Sequence, residues 1–119
     1  MPTDLKDRTE NYALRIIRLF RSLPHSTEAQ VIGRQFLRSG TSVGANYREA
    51  CRSRSKAEFI AKLGDCLKEL DETDYWLGLL VKAKIMTQSR MEALVDETNQ
   101  LIAVFVPIIK NTKDGMKKL

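Results

Sequence analysis

One histidine, two cysteines and three prolines in a chain of 119 residues leave little material for several kinds of chemistry. His25 stands in the turn Pro24-His25-Ser26-Thr27 with no second histidine and no acid at a fixed spacing, so it reads as a surface or capping residue. Ser39, Thr41 and Ser42 have no base within their own motif, and a nucleophilic triad has no support. Glu69 and Glu72 lie one helical turn apart, a spacing compatible with a carboxylate metal site. Helical di-metal proteins use Glu-x-x-His pairs, however, and the chain has none. A surface or interface role is the stronger reading for this pair. No catalytic residue, metal or cofactor is expected, and the chain is read as non-enzymatic. Cys51 and Cys66 lack CxxC spacing and fall among apolar or small neighbours, which makes both expected buried free thiols.

Long apolar runs are missing too. The longest, residues 101–109, is too short to span a bilayer, and the N-terminus lacks the apolar stretch of a signal peptide. The expectation is a cytoplasmic protein with no membrane partner. A phosphate-binding loop is unsupported, since Gly-x-x-x-x-Gly-Lys-Ser/Thr spacing and a preceding strand are both absent. No segment reads as a strand.

Helical periodicity fills the chain instead. Apolar residues recur at three- and four-residue steps in Leu5, Tyr12, Ile16, Leu19, Phe20 and Leu23, then in Ala29, Ile32, Phe36, Val43, Tyr47 and Ala50. A third face runs Phe59, Leu63, Cys66, Leu70, Leu77, Leu80, and a fourth runs from Met91 through Phe105 to Ile109. Ser26 or Thr27 can cap the second helix, and Ser53 or Ser55 the third, with Glu58 in capping-box spacing from Ser55. Helices are therefore predicted at residues 4–22, 27–53, 55–84 and 88–112. Pro107 is expected to kink or weaken the last, and residues 113–119 to form a frayed basic tail. Short connections make neighbours antiparallel, so the fold class is all-α: a single domain over residues 1–119, an up-down-up-down four-helix bundle.

Charge is uneven within the net +5. Residues 1–56 hold eleven Lys/Arg against five Asp/Glu, while residues 57–119 hold nine against ten. Such asymmetry points to an anionic partner, or to a basic face that meets an acidic face of another subunit. At about 100° per residue, Arg34, Arg38, Thr41, Ala45, Arg48 and Arg52 share one stripe of the second helix, which suits bidentate phosphate contacts. Glu58, Asp65, Glu69 and Glu72 share a stripe of the third helix with Trp76 and could neutralise these arginines across subunits. Both readings stay open for the second helix. Arg8, Arg15 and Arg18 with Asn11 form a further polar face, read as solvated.

Glycine inside a helix costs roughly 0.5–1 kcal/mol relative to alanine, so Gly33, Gly40 and Gly44 need compensation. They fall with Cys51 on one narrow ridge where another backbone can approach, from within the bundle or from another subunit. Tyr75 and Trp76 could stack on bases, though packing in the core or an interface is the commoner fate of such residues. Asp74 lies close to the apolar side of the third helix and marks a core boundary.

The run from Gln35 to Ala50, QFLRSGTSVGANYREA, followed by Ser55, Glu58-Phe59-Ile60, Lys62, Leu67-Lys68-Glu69 and Glu72-Thr73 with Tyr75-Trp76-Leu77, carries a pattern. It resembles the four-helix-bundle proteins encoded in intervening sequences of bacterial large-subunit ribosomal RNA genes. That family is similar to the accessory variability protein of diversity-generating retroelements, a basic homopentameric barrel that binds nucleic acid and a reverse transcriptase. The resemblance implies a homo-oligomer, with five subunits the expected number, and RNA or DNA as ligand. It brings in a reverse transcriptase as a candidate partner and implies no catalysis. On this reading Arg34, Arg38, Arg48 and Arg52 contact nucleic-acid phosphate. Gly33, Gly40, Gly44, Tyr47, Glu69, Glu72, Tyr75 and Trp76 serve helix packing or a subunit interface. The alternative is a protein-interaction scaffold whose arginine stripe is used in subunit or partner contacts.

Overall fold

Three side chains fix where the first three helices begin. Asp4, Ser26 and Ser55 each accept a hydrogen bond from a first-turn amide, those of Lys6, Ala29 and Glu58, satisfying donors that have no intrahelical partner. The computed structural model describes residues 4–117. Its elements are α1 (Leu5–Ser22), α2 (Thr27–Cys51), α3 (Lys56–Lys82) and α4 (Gln88–Lys117), with no strand among the described residues. Short connections set neighbours antiparallel in a four-helix bundle of 53 × 23 × 22 Å, in which α2 and α3 make the most extensive pairing.

The α3–α4 connection is set by one residue. Lys84 takes a left-handed conformation at φ 60°, its amide donates to the Val81 carbonyl, and the Ile85 and Met86 amides donate to that of Leu80. This is a Schellman closure with lysine where glycine is usual, and it turns Met86 inward, 6% exposed.

Pro107 does not end α4. The proline lies on the exposed side, and Ile108 and Ile109 beyond it pack against the core, which holds the final turns. Residues 113–117, expected to fray, continue the helix, while Lys118 and Leu119 lie outside the described residues.

The core is apolar apart from buried hydroxyls drawn from all four helices. Thr98 Oγ1 donates to the Leu94 carbonyl at 2.9 Å and so accepts from the Tyr12 phenol at 2.6 Å, joining α1 to α4. Thr73 Oγ1 donates to the Glu69 carbonyl at 2.8 Å and accepts from Ser39 Oγ at 2.7 Å, joining α2 to α3. Each side chain thereby repays its desolvation with a partner. Asp74 is half-buried at the edge of this layer, and its charge adds to the upward pressure on the Tyr12 phenol, which comes mainly from burial.

Only one of the two cysteines is buried. Cys66 is enclosed, its thiol donating to the Val43 carbonyl, whereas Cys51 is exposed. Gly44 already faces Thr9 in the second turn of α1, and Cys51 lies two helical turns further on, beyond the first residue of α1.

Burial pushes the Cys66 thiol up to about 12 and the Tyr12 phenol up as well. For acids raised on folding, the stabilisation is complete below their unfolded values, about 8.5 for Cys and about 10 for Tyr, and is lost as pH rises toward the folded values. Between pH 8 and pH 10.5 these two groups are expected to cost about 3–4 kcal/mol of stability, from a slope of about 1.4 kcal/mol per pH unit per group. Urea midpoints at the two pH values read this loss, and Cys66→Ala should remove most of the difference. A midpoint that does not move with pH would contradict it.

Candidate nucleic-acid interface

Because α2 keeps one helical phase through its glycines, its two sides have different fates. Gly33, Gly40 and Gly44 face α1: a Cβ added there would stand 2.6 Å from Leu23 Cδ1, 2.7 Å from Ile16 Cγ1 and 3.1 Å from Thr9 Oγ1, respectively. The small-residue ridge therefore packs within the bundle. Arg34, Arg38, Ala45, Arg48 and Arg52 stand exposed on the outer side, and Thr41 is half-buried between them. Thr41 and Ser42 donate to the Leu37 and Arg38 carbonyls at 2.6 Å each, so their hydroxyls are spent on the helix itself.

The four arginines are not equivalent. Arg38 pairs within the chain, with Glu69 at 3.4 Å and with Glu72 on α3. Glu72 also accepts from the Trp76 indole at 3.0 Å, tying arginine, carboxylate and indole into one cluster. Arg48 comes within 3.7 Å of Glu10, with about half of each side chain exposed, so this pair contributes little. Arg34 and Arg52 make no ion pair among the described residues. They are separated by about 27 Å along the helix, from a rise of about 1.5 Å per residue.

The remaining expected residues fall in three places. Tyr47 packs edge-to-face on Phe105 of α4, ring centroids 5.7 Å apart, and burial, with help from Cys51, pushes its phenol up to about 12. Glu69 and Glu72 face Arg38. Trp76 is half-buried beside Tyr75, which is 59% exposed and meets it edge-to-face at 4.9 Å. His25 is exposed, and no group of three or more His, Cys, Asp or Glu among the described residues could hold a metal ion. No helix among them is long and apolar enough to cross a membrane.

Helix α1 departs from the solvated reading at Arg8. Its guanidinium donates to both Glu97 oxygens at 2.9 Å and to Gln100 at 3.2 Å, a fork that clamps α1 to α4. The hydrogen bonds to Glu97 raise its pKa further. Sequence spacing gave no sign of this, because its partner lies 89 residues away.

This architecture can be set beside known proteins. The 23S rRNA-intervening sequence protein family matches residues 3–106. The chain belongs to that family. A crystal structure at 1.70 Å resolution of a protein of unknown function, from the S23 ribosomal protein family of Bacteroides thetaiotaomicron VPI-5482, is similar to it over 90% of this chain and 99% of that one. The two share 39% sequence identity and superpose with a TM-score of 0.85. No curated protein matches the chain in sequence. The relative carries the same fold, and neither comparison names a reaction, a ligand or an assembly.

Proposed function

We propose that this family member is a non-enzymatic, homo-oligomeric protein of the bacterial cytoplasm that binds nucleic acid through phosphate contacts, largely without regard to sequence. Five subunits is the number the family resemblance implies. The observation that carries the reading is the outer face of α2, where Arg34 and Arg52 are exposed and make no ion pair among the described residues and Arg48 is only loosely engaged. Guanidiniums in this state can exchange condensed counterions of a nucleic acid for direct contacts.

The test is a salt titration of binding to duplex nucleic acid, with light scattering for the assembly. Log K is expected to fall linearly with log salt at about −0.9 per phosphate neutralised, and Arg34→Ala or Arg52→Ala to flatten that slope by about one unit each. A monomer by light scattering would remove the oligomer from the account, and a slope near zero would remove the phosphate contacts.

A second reading has its own observation. Tyr75 holds most of its ring in solvent against Trp76, an aromatic pair of the kind enriched in protein interfaces. In that reading the chain is an interaction scaffold. Tyr75→Ala would then dissociate the oligomer or a protein partner and leave the salt slope of nucleic-acid binding unchanged.

A further inference from the structure

Antiparallel pairing lays the later turns of α1 against the first turns of α4, so Arg15 and Arg18 meet Arg90 around one cleft of about 290 Å³. Leu19, Met86 and Leu94 line its apolar part, the last two nearly buried. The Schellman turn at Lys84 is what brings Met86 there. Arg15 is half-buried, and Arg18 and Arg90 are exposed.

The protein does not answer the charge of this cleft. Further along the same seam Arg8 is held by Glu97, yet no carboxylate among the described residues lies within 4.0 Å of Arg15, Arg18 or Arg90. The first turn of α4 supplies no acid either. Three guanidiniums around one cleft repel one another until an anion enters, and each presents a planar fork that fits phosphate oxygens.

We propose that this cleft binds a terminal phosphate, the monoester group of a free nucleotide or of a phosphorylated strand end. A phosphate monoester carries about −1.5 to −2 charges near pH 7 and three acceptor oxygens. An internal diester offers a single charge and two free oxygens, a poorer match to three guanidiniums lining one cleft. The apolar lining gives the attached nucleoside a surface to lie against. This site sits on the α1–α4 seam, away from the α2 stripe, and it rests on the nucleic-acid reading for the strand-end source only.

Fluorescence anisotropy on the full chain, with 5′-phosphorylated and 5′-hydroxyl oligonucleotides of one sequence, isolates the terminal group. The phosphorylated strand is expected to bind about tenfold tighter, the scale of one charge-assisted contact. Arg18→Gln and Arg90→Gln, at exposed positions that leave the core intact, are each expected to reduce the ratio several-fold, and together to abolish it. Displacement by adenosine monophosphate identifies the free nucleotide as a ligand, and failure to displace identifies the strand end. Equal binding of the two strands, or a ratio that survives in the double variant, overturns the site. If neither strand binds, the nucleic-acid reading fails, and direct titration with adenosine monophosphate decides the cleft: binding that the double variant loses supports it, and no binding overturns it.

Discussion

Gly40→Leu is expected to cost about 3 kcal/mol or more and to lower Tm by about 10 °C or more. A Cβ at position 40 would lie 2.7 Å from Ile16 Cγ1 and 3.0 Å from Ile16 Cγ2. These atoms sit next to the α1 backbone on a β-branched residue that is fully buried, so they cannot swing aside as a chain end could. The leucine must push α1 off α2 or force its own rotamer. Gly40→Ala brings the same Cβ overlap and should also destabilise, but by less, because it adds no atom beyond Cβ and roughly 0.5–1 kcal/mol of helix propensity offsets part of the overlap. Thermal melts of the two variants read the difference. A leucine variant that melts with the wild type would show that close α1–α2 packing is not what the glycines are for.

Phe105→Ala is expected to cost about 3–5 kcal/mol. The ring is fully buried and meets Tyr47 edge-to-face, and it is the last fully buried anchor of α4 before Pro107. Its loss leaves a cavity and frees the turns that follow the proline, so urea unfolding should show an earlier midpoint. A loss under about 1 kcal/mol would mean that the surrounding side chains collapse into the space or that α4 is held elsewhere.

The bundle was legible in the sequence because apolar spacing and short polar connections both act locally. The phase of α2 through Gly33, Gly40 and Gly44 was readable for the same reason, though which helix those glycines would meet was not. The buried hydroxyls were missed. Thr73 and Thr98 nevertheless fall in phase with their apolar neighbours, as in Met91, Leu94, Thr98, Leu101 and Phe105, and an in-phase threonine can satisfy itself on the carbonyl four residues back. That in-phase position was the available signal. Cys51 looked buried because its ridge continues in phase, but a ridge buries only where another helix runs beside it.

The arginines show the same boundary between local and distant information. Their common face follows from 3.6 residues per turn, whereas the carboxylates that claim them are set by tertiary pairing. Glu69 and Glu72 reach Arg38 from α3, Glu97 reaches Arg8 from α4, and Arg15, Arg18 and Arg90 come together from opposite ends of the chain without a carboxylate among them. The sequence reading gave Arg34, Arg38, Arg48 and Arg52 one role, whereas in the structure Arg38 is paired with Glu69 and Glu72 and Arg34 and Arg52 make no ion pair among the described residues.

The central claim is that free guanidiniums on α2, rather than the paired one, carry nucleic-acid binding. Its most direct test compares the salt slope of duplex binding in Arg52→Ala and Arg38→Ala with that of the wild type. The account predicts a slope flatter by about one unit in Arg52→Ala and a distinctly smaller change in Arg38→Ala, whose charge Glu69 and Glu72 already offset. A slope unchanged in Arg52→Ala would contradict it.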